Sequence, residues 1–129
     1  MSWDLAFWKP NGPSPEQPGT VYESLLEDDE PDGVTWLSVD QVKAEFRAAF
    51  PEITDDCSEL TWEGAGSYFQ VSWAVGSKPG HTLGVFVTCG WSLLDQPTVI
   101  ERVRAVGHCL GCGVFDPQSD TWSPPTEHV

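Results

Sequence analysis

The segment from Ser67 to Cys89 constrains this chain most. Phe69, Val71, Trp73 and Val75 alternate with Tyr68, Gln70, Ser72 and Ala74, the two-residue period of a half-buried strand. Gly76-Ser-Lys-Pro-Gly80 then reverses the chain, and Thr82–Cys89 alternates again, with Leu83, Val85, Val87 and Cys89 on one face. Upstream, Glu59–Glu63 reads as a strand joined to Ser67 by the tight Gly64-Ala-Gly66 turn. Three sequential strands with short glycine loops make an antiparallel meander. Its apolar face has to be covered by something else in the chain.

Two helices supply cover. Ser38-Val-Asp-Gln41 is a capping box, and behind it Val39, Val42, Phe46, Ala49 and Phe50 recur at helical spacing until Pro51 ends the run. Gln96–Leu110 carries a stripe of Val99, Val103, Val106 and Leu110, with Ile100 beside it. Asp95 is the expected cap, Pro97 lies in the first turn, and Gly107, Gly111 and Gly113 loosen and end the helix. Thr20-Val-Tyr-Glu23 is a second capping box, predicting a short helix over Val21–Glu27. Ser2–Trp8 reads as a first strand, with Trp3, Leu5 and Phe7 on one face and Asp4, Ala6 and Trp8 on the other. Gly113–Asp116 reads as the last strand, placed beside the first. The order is β-α-α-β-β-β-α-β, and the expected class is α+β, a mostly antiparallel sheet with helices packed on one face. The 129 residues make one domain, with a proline-rich loop at 9–19 and a loosely held tail at 119–129.

Charge narrows function. Twenty acids against six bases give a formal net charge of −14. This argues against nucleic acid and against anionic membranes, both of which need clustered Lys and Arg. It suits solubility or a basic partner. No apolar run approaches the ~20 residues of a membrane span. Met1-Ser-Trp-Asp-Leu5 has neither a basic region nor a following apolar run, so the expectation is a cytoplasmic chain with reduced thiols.

The acids are unevenly placed. No base separates Lys9 from Lys43, a window holding Glu16, Glu23, Glu27, Asp28, Asp29, Glu30, Asp32 and Asp40. None separates Arg47 from Lys78, a window holding Glu52, Asp55, Asp56, Glu59 and Glu63. If these windows met in space they would form one strongly negative face, able to speed capture of a basic partner. The partner-contacting residues expected on this ground are Glu27, Asp28, Asp29, Glu30, Asp32, Asp55, Asp56 and Glu59. Trp36 is the expected aromatic anchor, since Trp is enriched in binding hot spots. Trp73 is expected in the core, and Trp36 and Trp122 partly exposed.

Other chemistry is thinly represented. His108-Cys109-Leu-Gly-Cys112 could hold zinc or a redox pair, with Cys57, Cys89 or His81 as distant further ligands. The pair closes a helix, however, where the dipole raises a thiol pKa rather than lowering it. Haem attachment needs a His after the second Cys, and Gly113 stands there. There is no G-x-S-x-G elbow. Gly64-Ala-Gly66 precedes a strand and cannot cradle a phosphate at a helix N-terminus. His81 and His128 fall in a loop and the tail. The Asp28-Asp29 and Asp55-Asp56 pairs lie in polar loops with nothing to raise one carboxyl. Calcium at Glu27–Asp32 is opposed by Pro31 and by the missing distal Glu. The sequence names no catalytic residue and no cofactor, and the expectation is that the protein is not an enzyme.

Met1-Ser-Trp-Asp-Leu-Ala-Phe-Trp8, together with Gly113-Val-Phe-Asp116-Pro117-Gln118 after the last helix, resembles small bacterial proteins that open M-S-aromatic-D-L-A-x-W and carry a late D-P-Q. In size and acidity the chain resembles the immunity proteins of toxin systems delivered by contact-dependent or type VI routes. That resemblance implies a cytoplasmic, non-enzymatic protein that binds and blocks a cognate toxin, and it implies structural roles for Asp4 and Asp116. The alternative is a small zinc- or ligand-binding domain using Cys109 and Cys112.

Overall fold

The computed structural model describes residues 2–11, 17–56, 58–64 and 66–125. The fold is α+β, built from a mostly antiparallel sheet and three helices. Strand β1 (Ser2–Pro10) is followed by α1 (Pro18–Leu26), β2 (Val34–Thr35), β3 (Leu37–Ser38) and α2 (Val39–Ala49). Then come β4 (Thr54–Asp55), β5 (Leu60–Gly64), β6 (Ser67–Trp73), β7 (His81–Thr82) and β8 (Val85–Gly90). A 3₁₀ turn (Trp91–Asp95) leads into α3 (Pro97–Cys109), and β9 (Gly113–Asp116) and β10 (Thr121–Ser123) close the chain. The main sheet runs β10-β9-β1-β8-β6-β5-β4, with β2 pairing the far end of β1. The meander β5-β6-β8 forms as the alternation requires, and β9 lies antiparallel beside β1 through Ala6↔Phe115.

Both faces of β1 are buried, and this decides the layering. Trp3, Leu5 and Phe7 point toward α2 and α3, into a core with Val42, Phe46, Phe50, Val103 and Val106. The Phe7 and Phe46 rings stack at 6.4 Å. A Cβ at Gly107 would come within 3.1 Å of the Phe7 ring, so glycine lets α3 settle close to β1. Ala6 and Trp8 point the other way, into a second core with Val21, Leu25, Leu83 and Phe115. So α2 and α3 share one face as expected, while α1 covers the opposite one. A two-residue stripe such as Val21 and Leu25 carries no signal of which face it will cover.

Element ends depart from expectation in four places. α1 starts at Pro18 with Gln17 as its cap, so Thr20 lies inside the first turn and the Thr20–Glu23 box does not form; proline's fixed φ suits that first position. Asp95 belongs to the 3₁₀ turn, and Gln96 precedes α3. Thr82 and Gly84 break the strand read as Thr82–Cys89: the Thr82 hydroxyl lies 2.8 Å from the Ala74 carbonyl oxygen and accepts the Gly84 N–H at 3.2 Å. Leu83 is thereby turned to the α1 side, away from Val85, Val87 and Cys89. Finally, Lys9 and Pro10 continue β1, and Thr121–Ser123 pairs with β9, so neither the 9–19 loop nor the 119–129 tail is wholly irregular. Residues 12–16 and 126–129 lie outside the described ones.

The Ser38 cap holds: its hydroxyl accepts the Gln41 N–H at 3.3 Å. α3 ends with Gly111 at φ 77, where the Cys112 N–H donates to the Gly107 carbonyl and the Gly111 N–H to that of His108, a Schellman closure.

Candidate partner-binding surface

The first acidic window is a held loop. α1 ends in a Schellman closure of its own, with Asp29 N–H donating to Ser24 O at 2.9 Å and Asp28 N–H to Leu25 O at 3.1 Å. The left-handed position, usually glycine, is Asp28 at φ 58. Its carboxylate accepts the Val75 N–H at 2.9 Å, and Glu30 accepts the Ser77 hydroxyl at 2.8 Å. Beyond them the Asn11 N–H donates to Gly33 O at 2.8 Å, and β2 pairs with β1. Thus Asp28 and Glu30 fasten the loop to the chain after β6. Glu27, Asp29 and Asp32 are exposed, and no ion pair joins them among the described residues.

The second window behaves differently. Asp55 sits opposite Leu60 in the β4–β5 pair and is ion-paired to both Lys43, at 3.3 Å, and Arg47 of α2. Asp56 caps its own turn, accepting the Ser58 and Glu59 N–H groups at 3.1 and 2.9 Å. These backbone donors, that of Glu59 foremost, hold its carboxyl below the usual carboxylate range. Glu59 is half-buried. The two windows therefore do not form one bare negative face. The Lys43 Nζ that pairs with Asp55 also lies 5.5 Å from the Trp73 ring.

Trp36 is partly exposed, as expected. It is half-buried in the α1-side core, its ring so close under Gly76 that a Cβ there would lie 2.7 Å away. The apolar side chains that reach water beside the acidic loop are Leu26 and Val75, 52% and 70% exposed. The β6 alternation points to Val75 as buried. The chain bends out at Ala74, whose N–H donates to Gly84 O, and Ala74 takes the core place instead. No pattern in the sequence announces that bend; Gly84 is its one trace.

Between Val75 and the 76–80 loop lies a shallow cleft of about 240 Å³, lined by Val39, Trp73, Val75, Lys78, Pro79 and His81 among others. Trp73 is half-buried against the main core, so its expected core position holds only in part. His81 Nδ1 faces the Pro79 carbonyl at 3.0 Å. Two wider hollows along α1, near Thr20, Glu23 and Asp120, are lined mostly by polar groups. At the other end of the sheet Tyr68, Trp91 and Leu94 are exposed.

Cys109 and Cys112 diverge. Cys109 is exposed at the end of α3, whereas Cys112 is fully buried in the main core, where loss of water pushes its thiol up to about 12. Cys89 is likewise pushed up to about 12, by burial first and by the charge of Asp4 second. Neither buried thiol is a ready thiolate. Among the described residues no three His, Cys, Asp or Glu side chains gather as a metal site would require; Cys57 and His128 lie outside them. Among the described residues no helix is long and apolar enough to cross a membrane.

The two stretches that carry the resemblance interlock. Gln118 Oε1 accepts the Asp4 N–H at 2.6 Å and Gln118 Nε2 donates to Asp4 O at 2.9 Å, so the side-chain amide stands in for one more residue of strand beside β1. Asp116 accepts the Gln118 N–H at 3.0 Å. No family model, curated protein or solved structure matches this chain.

Proposed function

We propose that this protein is an immunity protein, a non-enzymatic inhibitor that binds a basic toxin and blocks it. One observation carries the reading: an exposed run of carboxylates held on a fixed loop. Glu27, Asp29 and Asp32 stand in solvent while Asp28 and Glu30 bond the loop in place. A loop already ordered loses little conformational freedom on binding, and its unneutralised charge steers a basic protein toward it. The exposed Leu26 and Val75 beside it offer apolar contact. Asp55, Asp56 and Glu59 contribute less on this reading, since Asp55 has its cations and Asp56 its backbone donors.

The test is capture and rescue. Tagged protein is used to capture partners from its own cells at low and moderate salt, and the captured protein is then expressed alone and with this chain. The expected result is one basic partner that arrests growth alone and is tolerated in the pair. Rescue fails with Asp29→Lys plus Asp32→Lys and survives Asp56→Asn. Absence of a partner at either salt, or a partner harmless when expressed alone, overturns the proposal.

A further inference from the structure

We infer that the cleft beside Val75 receives one apolar side chain of the basic partner, with the acidic loop binding the charges that flank it. The inference rests on the reading above and adds the occupant of one place.

Four observations carry it. The cleft, at about 240 Å³, falls below the ~300–1,000 Å³ typical of small-molecule sites, a size suited to a single side chain. Trp73, Val39, Val75 and Pro79 give it apolar walls, and Val75 stands 70% exposed although a strand pattern would bury it. The acidic loop is bonded to this same wall, through the Val75 N–H and the Ser77 hydroxyl, so anchor and charge are presented together. Binding hot spots have this form, a desolvated apolar centre with a polar rim. The cations decide the kind of anchor: Lys78 lines the cleft and Lys43 already stands over the Trp73 ring. An incoming Lys or Arg would meet like charge there, and an apolar side chain would not. The partner's basic residues belong outside, against Glu27, Asp29 and Asp32.

Two peptides test this with the full chain: acetyl-Lys-Arg-Phe-Arg-Lys-amide, and the same peptide with Ala for Phe. Both are titrated at low salt and followed by amide and indole proton shifts. The Phe peptide is expected to bind about tenfold more tightly, as burying much of one aromatic side chain would give. Its largest shifts are expected at the Trp73 indole, Val75 and Pro79's neighbours. Val75→Asn, at an exposed position where circular dichroism checks the fold, is expected to bring the two affinities together. Equal, salt-sensitive binding of both peptides by the unaltered chain overturns the cleft and leaves the acidic-surface reading standing. Binding of neither overturns the cleft and counts against that reading too. A Phe preference that survives Val75→Asn, with shifts centred on Tyr68 and Trp91, overturns the cleft by placing the apolar contact at the other end of the sheet.

Discussion

Asp28 shows how one residue joins fold and surface. A left-handed backbone costs a non-glycine residue roughly 1–2 kcal/mol, and glycine would avoid it. The carboxylate recovers that cost by accepting the Val75 N–H, which glycine could not do. Asn tolerates the same backbone and keeps an acceptor. Asp28→Asn is therefore expected to stay within about 0.5 kcal/mol of the parent in urea unfolding, and Asp28→Ala to lose about 1–2 kcal/mol. Asp28→Gly should keep stability but speed hydrogen exchange at Val75. An Ala variant as stable as the parent would show that the bond contributes nothing. None of this was legible in the sequence, where Asp28 and Asp29 are two equal members of an acidic run. The cysteines give a pH dependence. Cys89 and Cys112 have folded values of about 12 against an ordinary 9.0, so the unfolded chain releases their protons first as pH rises. Stability is full below pH 9 and falls between 9 and 12, by at most about 1.4 kcal/mol per pH unit for each thiol. Cys112→Ala should make that fall shallower; an unchanged slope would remove Cys112 from the account.

At the scale of elements, long regular runs were legible and short ones were not. The Val39–Phe50 stripe and the β6 alternation from Phe69 to Trp73 stand where their periodicity puts them, because each repeats its pattern often enough to exclude the alternatives. β10 is three residues followed by two prolines, too short for a period, and it is read as tail. What holds it is tertiary: the Trp122 ring stacks on Trp8 at 4.6 Å and packs so tightly over Gly113 that a Cβ there would lie 2.3 Å away. Trp122→Ala removes one ring of this stack from a half-buried site, and about 2–3 kcal/mol of stability should go with it. Chemical unfolding measures the loss, and a change under 0.5 kcal/mol would mean that β10 adds little to the fold. The side assigned to α1 was illegible for a related reason: β1 needed cover on both faces, and only the partner strands reveal which apolar residues look which way.

Charge separates the two sides of the whole molecule in a way that the linear windows only half disclose. Lys43, Arg47, Arg102 and Arg104 all belong to α2 and α3, where Arg102 also donates to the Ala49 carbonyl and lies 4.3 Å from the Phe50 ring. The acids at 27–32 stand on the α1 side, where Lys78 is the neighbouring base. Sequence spacing identified the first window correctly as base-free. It could not foresee that α2 would carry Lys43 and Arg47 across to the second. The consequence is repulsion concentrated on one pole and long-ranged at low ionic strength, where screening reaches about 30 Å at 0.01 M against 10 Å at 0.1 M. Raising NaCl from 10 to 300 mM is therefore expected to raise the melting temperature by a few degrees. Asp29→Lys with Asp32→Lys should shrink that rise, because it dilutes the crowded pole, and Arg47→Glu should enlarge it, because it strips Asp55 of one of its cations. A melting temperature that falls with salt would mean instead that the attractions around Asp55 outweigh the repulsion at the 27–32 pole. The charge there would then be too weak a field to steer a partner from a distance.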